Sequence, residues 1–246
     1  MPYSNAAQSV HAKATPARVA SRFSGPPGSG NGGYTVGMIG RHLGQEVEVT
    51  LKRPVPLDQA MQLVYHEPEE AALMHGGAEI ASARRTEIDV DIPEAVSFSR
   101  AAAARATYPG YRAHPFPSCF VCGTSRSHGD GMCLFTGIVA DGIVASSWVP
   151  TSMLTGEDDV VSAELTCAAL DCPGAWALIA RYGIDGPIVL GRMSYRFERP
   201  IYRDCRYVVM GWSLGRERRK SFCGTAVYDS HGNVCAVASS TWIQIG

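Results

Sequence analysis

The sequence predicts an α+β protein built from two tandem copies of one unit, each an antiparallel sheet wrapped around a central helix, the two forming a pseudo-dimer. Three observations carry this. Short stretches of the first half recur in the same order in the second, as a duplicated unit requires. In each copy one helical stretch precedes a series of strands. The chain of 246 residues is long enough for one large domain or two small ones at roughly 150 residues each.

The recurring stretches are four. Val19–Phe23 matches Val144–Trp148, Met38–Arg41 matches Leu178–Arg181, Leu51–Pro54 matches Phe197–Pro200, and Gly77–Ala83 matches Gly232–Ala238. Their separation grows along the chain, so the second copy carries modest insertions. The expected layout is a flexible tail over residues 1–17, a first unit over 18–88, a linker over 89–138 and a second unit over 139–246.

In the first copy, the Gly- and Pro-rich loop Gly25 to Gly33 marks a turn region. Tyr34, Val36, Met38, Ile39 and Leu43 then form a helical apolar face, and Gly44 is placed to end it. Val47 to Leu51 alternates apolar and polar residues, the mark of a half-buried strand; Met61 to Tyr65 and Ala78 to Ala83 are further strands. In the second copy the helix is expected over Ala168 to Tyr182, with Pro173 in its first turn and Gly183 stopping it. Val189 to Phe197, Arg206 to Leu214, Ser221 to Asp229 and Val234 to Ile245 read as strands. The linker includes an Ala-rich stretch, Ala101 to Ala106, that fits a short helix.

Composition narrows the function. Residues are 46% hydrophobic and 18% charged, and the net charge is −1. Near-neutral charge excludes nucleic-acid binding through a global positive field. No apolar run approaches the ~18 residues that span a bilayer. The stretch Met1 to Ala20 lacks the apolar core of a signal peptide, so a cytoplasmic protein is expected, with its eight cysteines kept as thiols or metal ligands.

The stretch Gly30-Asn31-Gly32-Gly33-Tyr34-Thr35, the strand to Pro56 with its Arg-Pro, the stretch Ala169 to Trp176 and the segment Arg196 to Pro200 resemble the hotdog fold in the double-hotdog arrangement of acyl-CoA thioesterases. The resemblance implies an acyl-thioester hydrolase without a cofactor beyond the coenzyme A moiety of its substrate. It implies no nucleic-acid or membrane partner, and it allows a homo-oligomer. It also implies a carboxylate or amide at the start of a central helix, where unpaired N–H groups and a partial positive charge can hold an oxyanion. Aligning the helices places Asp171 opposite Asn31. Asp171 is then the expected base or nucleophile and Asn31 its polar partner, with the amides of Gly33 and Gly174 as oxyanion donors. Tyr34, Met38, Trp176 and Leu178 are the expected acyl-chain lining. Arg216 and Arg218, in a short basic run, are candidates for the phosphates of coenzyme A. Thr225 and Gln244 match in type the Thr and Gln that related enzymes set beside their Asp. No Asp-to-His spacing like that of the fold's hydratases follows Asp171, which favours hydrolysis over hydration.

Two alternatives remain on the sequence. One is a hotdog scaffold that binds an acyl-CoA or lipid-like ligand without turnover. The other is a zinc-stabilised interaction module, since Cys119, Cys122, His128 and Cys133 follow a C-x2-C-x5-H-x4-C spacing. Against zinc stands the simpler expectation that these thiols, and Cys172, are small buried fillers.

Overall fold

The computed structural model describes residues 13–66 and 69–245. Its first half comprises β1 (Lys13–Ala17), α1 (Gly32–Gly40), β2 (Glu46–Leu51), β3 (Met61–His66), β4 (Glu70–His75) and β5 (Ala78–Arg85). The connecting segment holds α2 (Phe98–Ala104). The second half comprises β6 (Gly137–Ala140), β7 (Ile143–Trp148), α3 (Ala163–Tyr182), β8 (Ile188–Phe197), β9 (Tyr207–Glu217), β10 (Lys220–Tyr228) and β11 (Val234–Gln244).

All the strands form one antiparallel sheet in the order β1-β3-β4-β5-β2-β8-β11-β10-β9-β7-β6. Read outward from the centre, the halves repeat: β2-β5-β4-β3-β1 on one side and β8-β11-β10-β9-β7 on the other, with β6 added at the far edge. The two halves meet where β2 pairs with β8, Val47 opposite Tyr195 and Val49 opposite Met193. Joining there removes two sheet edges that would otherwise expose unpaired backbone groups. All four of these side chains are buried beneath α1 and α3, so the seam is also part of the core. Both helices lie on this one face and pack against each other.

The duplicated architecture holds, but its register differs from the sequence alignment. Each helix is capped by the residue fourteen places beyond the preceding strand: Asn31 after Ala17, and Ser162 after Trp148. The Asn31 side chain accepts from the Tyr34 amide (2.8 Å), and Ser162 accepts from the Leu165 amide (3.4 Å). The structural counterpart of Asn31 is therefore Ser162, and that of Asp171 is Gly40. The helix expected from Ala168 starts at Ala163 because Ser162 supplies the cap. Pro173 consequently lies inside α3 rather than in its first turn. Gly183 ends the helix in the left-handed conformation, as the sequence predicts.

Two further expectations change. Residues 13–17 are not tail but the edge strand β1, paired with β3; Pro16 is tolerated there because an edge strand leaves part of its backbone unpaired. The rest of the expected tail, residues 1–12, lies outside the described residues. The linker is not a bare connection either. Helix α2 and the segment before it cover the outer face of the second half's sheet, where Ala101, Val208, Met210 and Tyr228 form a second, smaller core. Tyr228 fixes this cover by donating to the Pro93 carbonyl (2.8 Å).

Candidate active site

Close approach of the two helices creates the site. A Cβ on Gly33 would lie 2.4 Å from the Cys167 carbonyl oxygen, and one on Gly37 would lie 2.4 Å from that of Ala163. Only glycine lets α1 lie this near α3. The N-terminus of α1 thereby faces the third turn of α3, which carries Asp171.

Asp171 is buried, at 3% exposure. Its Oδ2 accepts from Asn31 Nδ2 (2.8 Å) and from the Gly33 amide (3.0 Å). Its Oδ1 has no hydrogen-bond partner. Asp171 and Asn31 thus meet as expected, but as partners across the seam and not as equivalent helix starts. The acid sits at a helix N-terminus, and that helix is α1 rather than its own. Burial raises the Asp171 carboxyl to about 7, while the Gly33 and Asn31 hydrogen bonds hold it lower than burial alone would. Asn31 does two jobs, since its Oδ1 caps α1 while its Nδ2 holds the carboxylate.

These groups lie in a cleft of about 550 Å³. Its walls come from the first half (Gly25 to Gly32, Leu51 to Val55), the connecting segment (His114 to Phe116, Cys119, Cys122) and the second half (α3, β8, β11). The lining is mainly apolar, with Trp176, Ile179, Leu190 and Ile243 along it. One backbone donor at the cleft has no acceptor in its helix: the Gly32 amide, at the first position of α1. Trp242 Nε1 is buried beside the Cys223 thiol.

The pseudo-equivalent position on the other side of the helix pair is closed. There Gly40 replaces the acid, and the Tyr195 hydroxyl packs directly over it. Glu164, in the first turn of α3, is ion-paired with Arg41. Of the two symmetry-related positions, one alone carries an acid facing a helix start.

Several expected site residues lie elsewhere. Gly174 sits in the interior of α3, where its amide belongs to the helix's own hydrogen bonding; the lack of a side chain there admits Cys223 and Thr225 of β10. The Gly33 amide is already committed to Asp171. Of the four acyl-lining candidates, Trp176 alone lines the cleft. Tyr34 stacks on Phe23 with ring centroids 4.0 Å apart, and Met38 and Leu178 are core. Arg216 and Arg218 lie at the β9–β10 hairpin, where Arg216 donates to Gln244 (2.9 Å). The basic residues at the cleft are Lys52 and Arg53. Thr225 is buried and donates to the Leu170 carbonyl (2.8 Å), beside Asp171, whereas Gln244 is held away from it by Arg216 and the Asp185 carbonyl.

The C-x2-C-x5-H-x4-C set does not assemble. His128 is exposed in a turn, and Cys133 points to the Arg126 carbonyl. Cys119 and Cys122 instead meet Cys172, which no local spacing in the sequence connects to them.

No family model matches the chain, and no curated protein matches it in sequence. Solved structures do match. A protein of unknown function with a hot dog fold from Alicyclobacillus acidocaldarius aligns over 95% of this chain and 94% of its own at 10% identity, with a TM-score of 0.61. The tesB protein of Mycobacterium avium subsp. paratuberculosis aligns over 96% of both chains at 12% identity, TM-score 0.61. A proposed thioesterase of Novosphingobium aromaticivorans aligns over 95% of this chain and 96% of that one at 11% identity, TM-score 0.62. The fold is the double hotdog, the architecture seen in thioesterase-like proteins. Among the described residues, no helix is long and apolar enough to cross a membrane.

Proposed function

We propose that the protein hydrolyses an acyl thioester, with the acyl chain in the cleft shared by its two halves and the carbonyl carbon beside Asp171. The observation that carries this is a buried carboxylate that lines an apolar cleft at the start of a helix, with its Oδ1 unpartnered. Oδ2 is pinned by Asn31 and Gly33, which fixes the carboxylate's orientation. Oδ1 is then free to take a proton from an attacking water, or to attack the carbonyl itself. The carbonyl oxygen, turning into an oxyanion, is placed against the Gly32 amide at the positive end of α1. The apolar walls suit an acyl chain. Arg53 is the cation available to carrier phosphates, since Lys52 is ion-paired with Glu79 (2.8 Å), and coenzyme A is the carrier whose chemistry fits it best. The structural neighbours named as thioesterases support the reading through the fold alone.

The test is release of free thiol from a panel of acyl-CoA esters. Wild type is expected to turn over at least one chain length, and Asp171→Ala to lose roughly 100-fold or more of that rate, the scale of an acid–base group. Thermal stabilisation by acyl-CoA without any thiol release would replace hydrolysis by the binding-scaffold reading.

A further inference from the structure

Beside Asp171, three buried thiols from two distant parts of the chain converge. Cys119 and Cys122 come from the connecting segment and Cys172 from α3; their sulfurs all lie within 4.8 Å of one another. The Cys119 and Cys172 sulfurs are 3.6 Å apart. Two sulfurs bound about 2.3 Å from one tetrahedral zinc ion sit roughly 3.8 Å apart, so this edge already has nearly the required length.

The loop carrying the first two is shaped for a ligand role. The Gly123 amide closes a turn onto the Cys119 carbonyl (2.9 Å). A Cβ at Gly123 would lie 2.4 Å from the Pro117 carbonyl oxygen and 2.5 Å from that of Cys119, so glycine is required. The Cys122 and Cys172 thiols and the amides of Cys122 and Val121 all face the Cys119 sulfur.

We infer that Cys119, Cys122 and Cys172 form a binding site for a thiophilic d10 cation, with Zn2+ as the expected occupant. The donors are three soft sulfurs without a carboxylate among them, which selects against Mg2+ and Ca2+. All three residues border the cleft. His114 stands next to the cluster, its Nε2 3.4 Å from the Cys122 sulfur and 3.0 Å from the Cys122 carbonyl oxygen. Its Nδ1 accepts the Phe116 amide. Nε2 therefore carries the proton and serves the cluster as a donor, in the manner of the outer partners that orient metal ligands. The inference stands on the sulfur geometry and does not require the thioesterase reading.

The experiment is metal binding by the purified, reduced full chain. Elemental analysis after incubation with one equivalent of Zn2+ and desalting is expected to find about one zinc per chain. Co2+ in its place is expected to give sulfur-to-metal charge-transfer absorption. Cys119→Ser and Cys172→Ser should each weaken Co2+ binding by at least about 100-fold, at or beyond the upper scale seen for outer partners of a metal site. Cys133→Ser, His128→Ala and Cys205→Ser should leave it unchanged. Because a ligand variant can fail to fold, wild type alone also decides the matter. No retained zinc and no cobalt–thiolate absorption would overturn the site. Isolation of a Cys119–Cys172 disulfide, two hydrogens lighter, in protein that takes no metal after reduction would overturn it in favour of a redox pair.

Discussion

Replacing Asn31 by alanine removes hydrogen bonds from opposite ends of one amide, the weakest of them the 4.0 Å contact of Nδ2 with the Cys119 sulfur. Loss of the Oδ1 acceptor uncaps α1 at the Tyr34 amide, worth about 1 kcal/mol. Loss of the Nδ2 donor removes one of two hydrogen bonds on the buried Asp171 carboxylate; a bond to a charged group is worth about 1.5–3 kcal/mol. The sum is about 2.5–4 kcal/mol. At 2–4 °C per kcal/mol for a chain of roughly this size, Asn31→Ala should lower Tm by about 5–15 °C. Asn31→Ser separates the two losses, because a serine hydroxyl caps a helix but does not reach Asp171. Thermal unfolding by circular dichroism of wild type, Asn31→Ser and Asn31→Ala should give three distinct transitions in that order, the last two about 1 kcal/mol apart. Thiol release should fall for both variants, because the carboxylate loses its fixed orientation. A Ser variant as stable and as active as wild type would refute the claim that Asn31 holds the acid. A Ser variant no more stable than Ala would refute the capping role.

Gly37→Ala drives a methyl into the Ala163 carbonyl; overpacking of about 1–3 kcal/mol outweighs the gain of about 1 kcal/mol in helix propensity. Its Tm should fall by a few degrees, and an unchanged or raised Tm would mean that the helices are not held at this spacing. Thr225→Val keeps the volume but loses the bond to the Leu170 carbonyl, and should cost about 1 kcal/mol in denaturant unfolding with an unchanged m-value. Arg53→Ala should raise KM for acyl-CoA severalfold, while Arg216→Ala and Arg218→Ala, away from the cleft, should leave it unchanged; the reverse pattern would place the carrier at the β9–β10 hairpin.

The second half was largely legible because its strands are long and bounded by clear turns, such as Asp229 to Asn233 between β10 and β11. The edge strand β1 was not, since Lys13 to Ala17 contains small residues and a proline and pairs only because β3 lies beside it. The start of α3 is hidden for a different reason. Its residues from Thr166 to Leu178 are buried on every side, so no apolar stripe reveals where the helix begins, and Pro173 imitates a first-turn residue. The helix alignment makes Asp171 and Asn31 equivalents, yet they meet because α1 starts against the middle of α3. The Gly32 amide carries no local signal at all, since it matters only once the cleft exists. The Cys119-x2-Cys122-Gly123 turn was visible in the sequence; its third sulfur, on α3, depends on the fold.

Covalent fusion of the two halves has a consequence for how such a site can change. In a symmetric homodimer every substitution occurs twice, so an acid gained or lost in one crevice is gained or lost in both. Here Gly40 and Tyr195 can plug one crevice while Asp171 stays in the other, and α3 can outgrow α1 by several turns. One lobe is free to specialise as scaffold, and the other can take on donors and sulfurs that its twin could not accommodate.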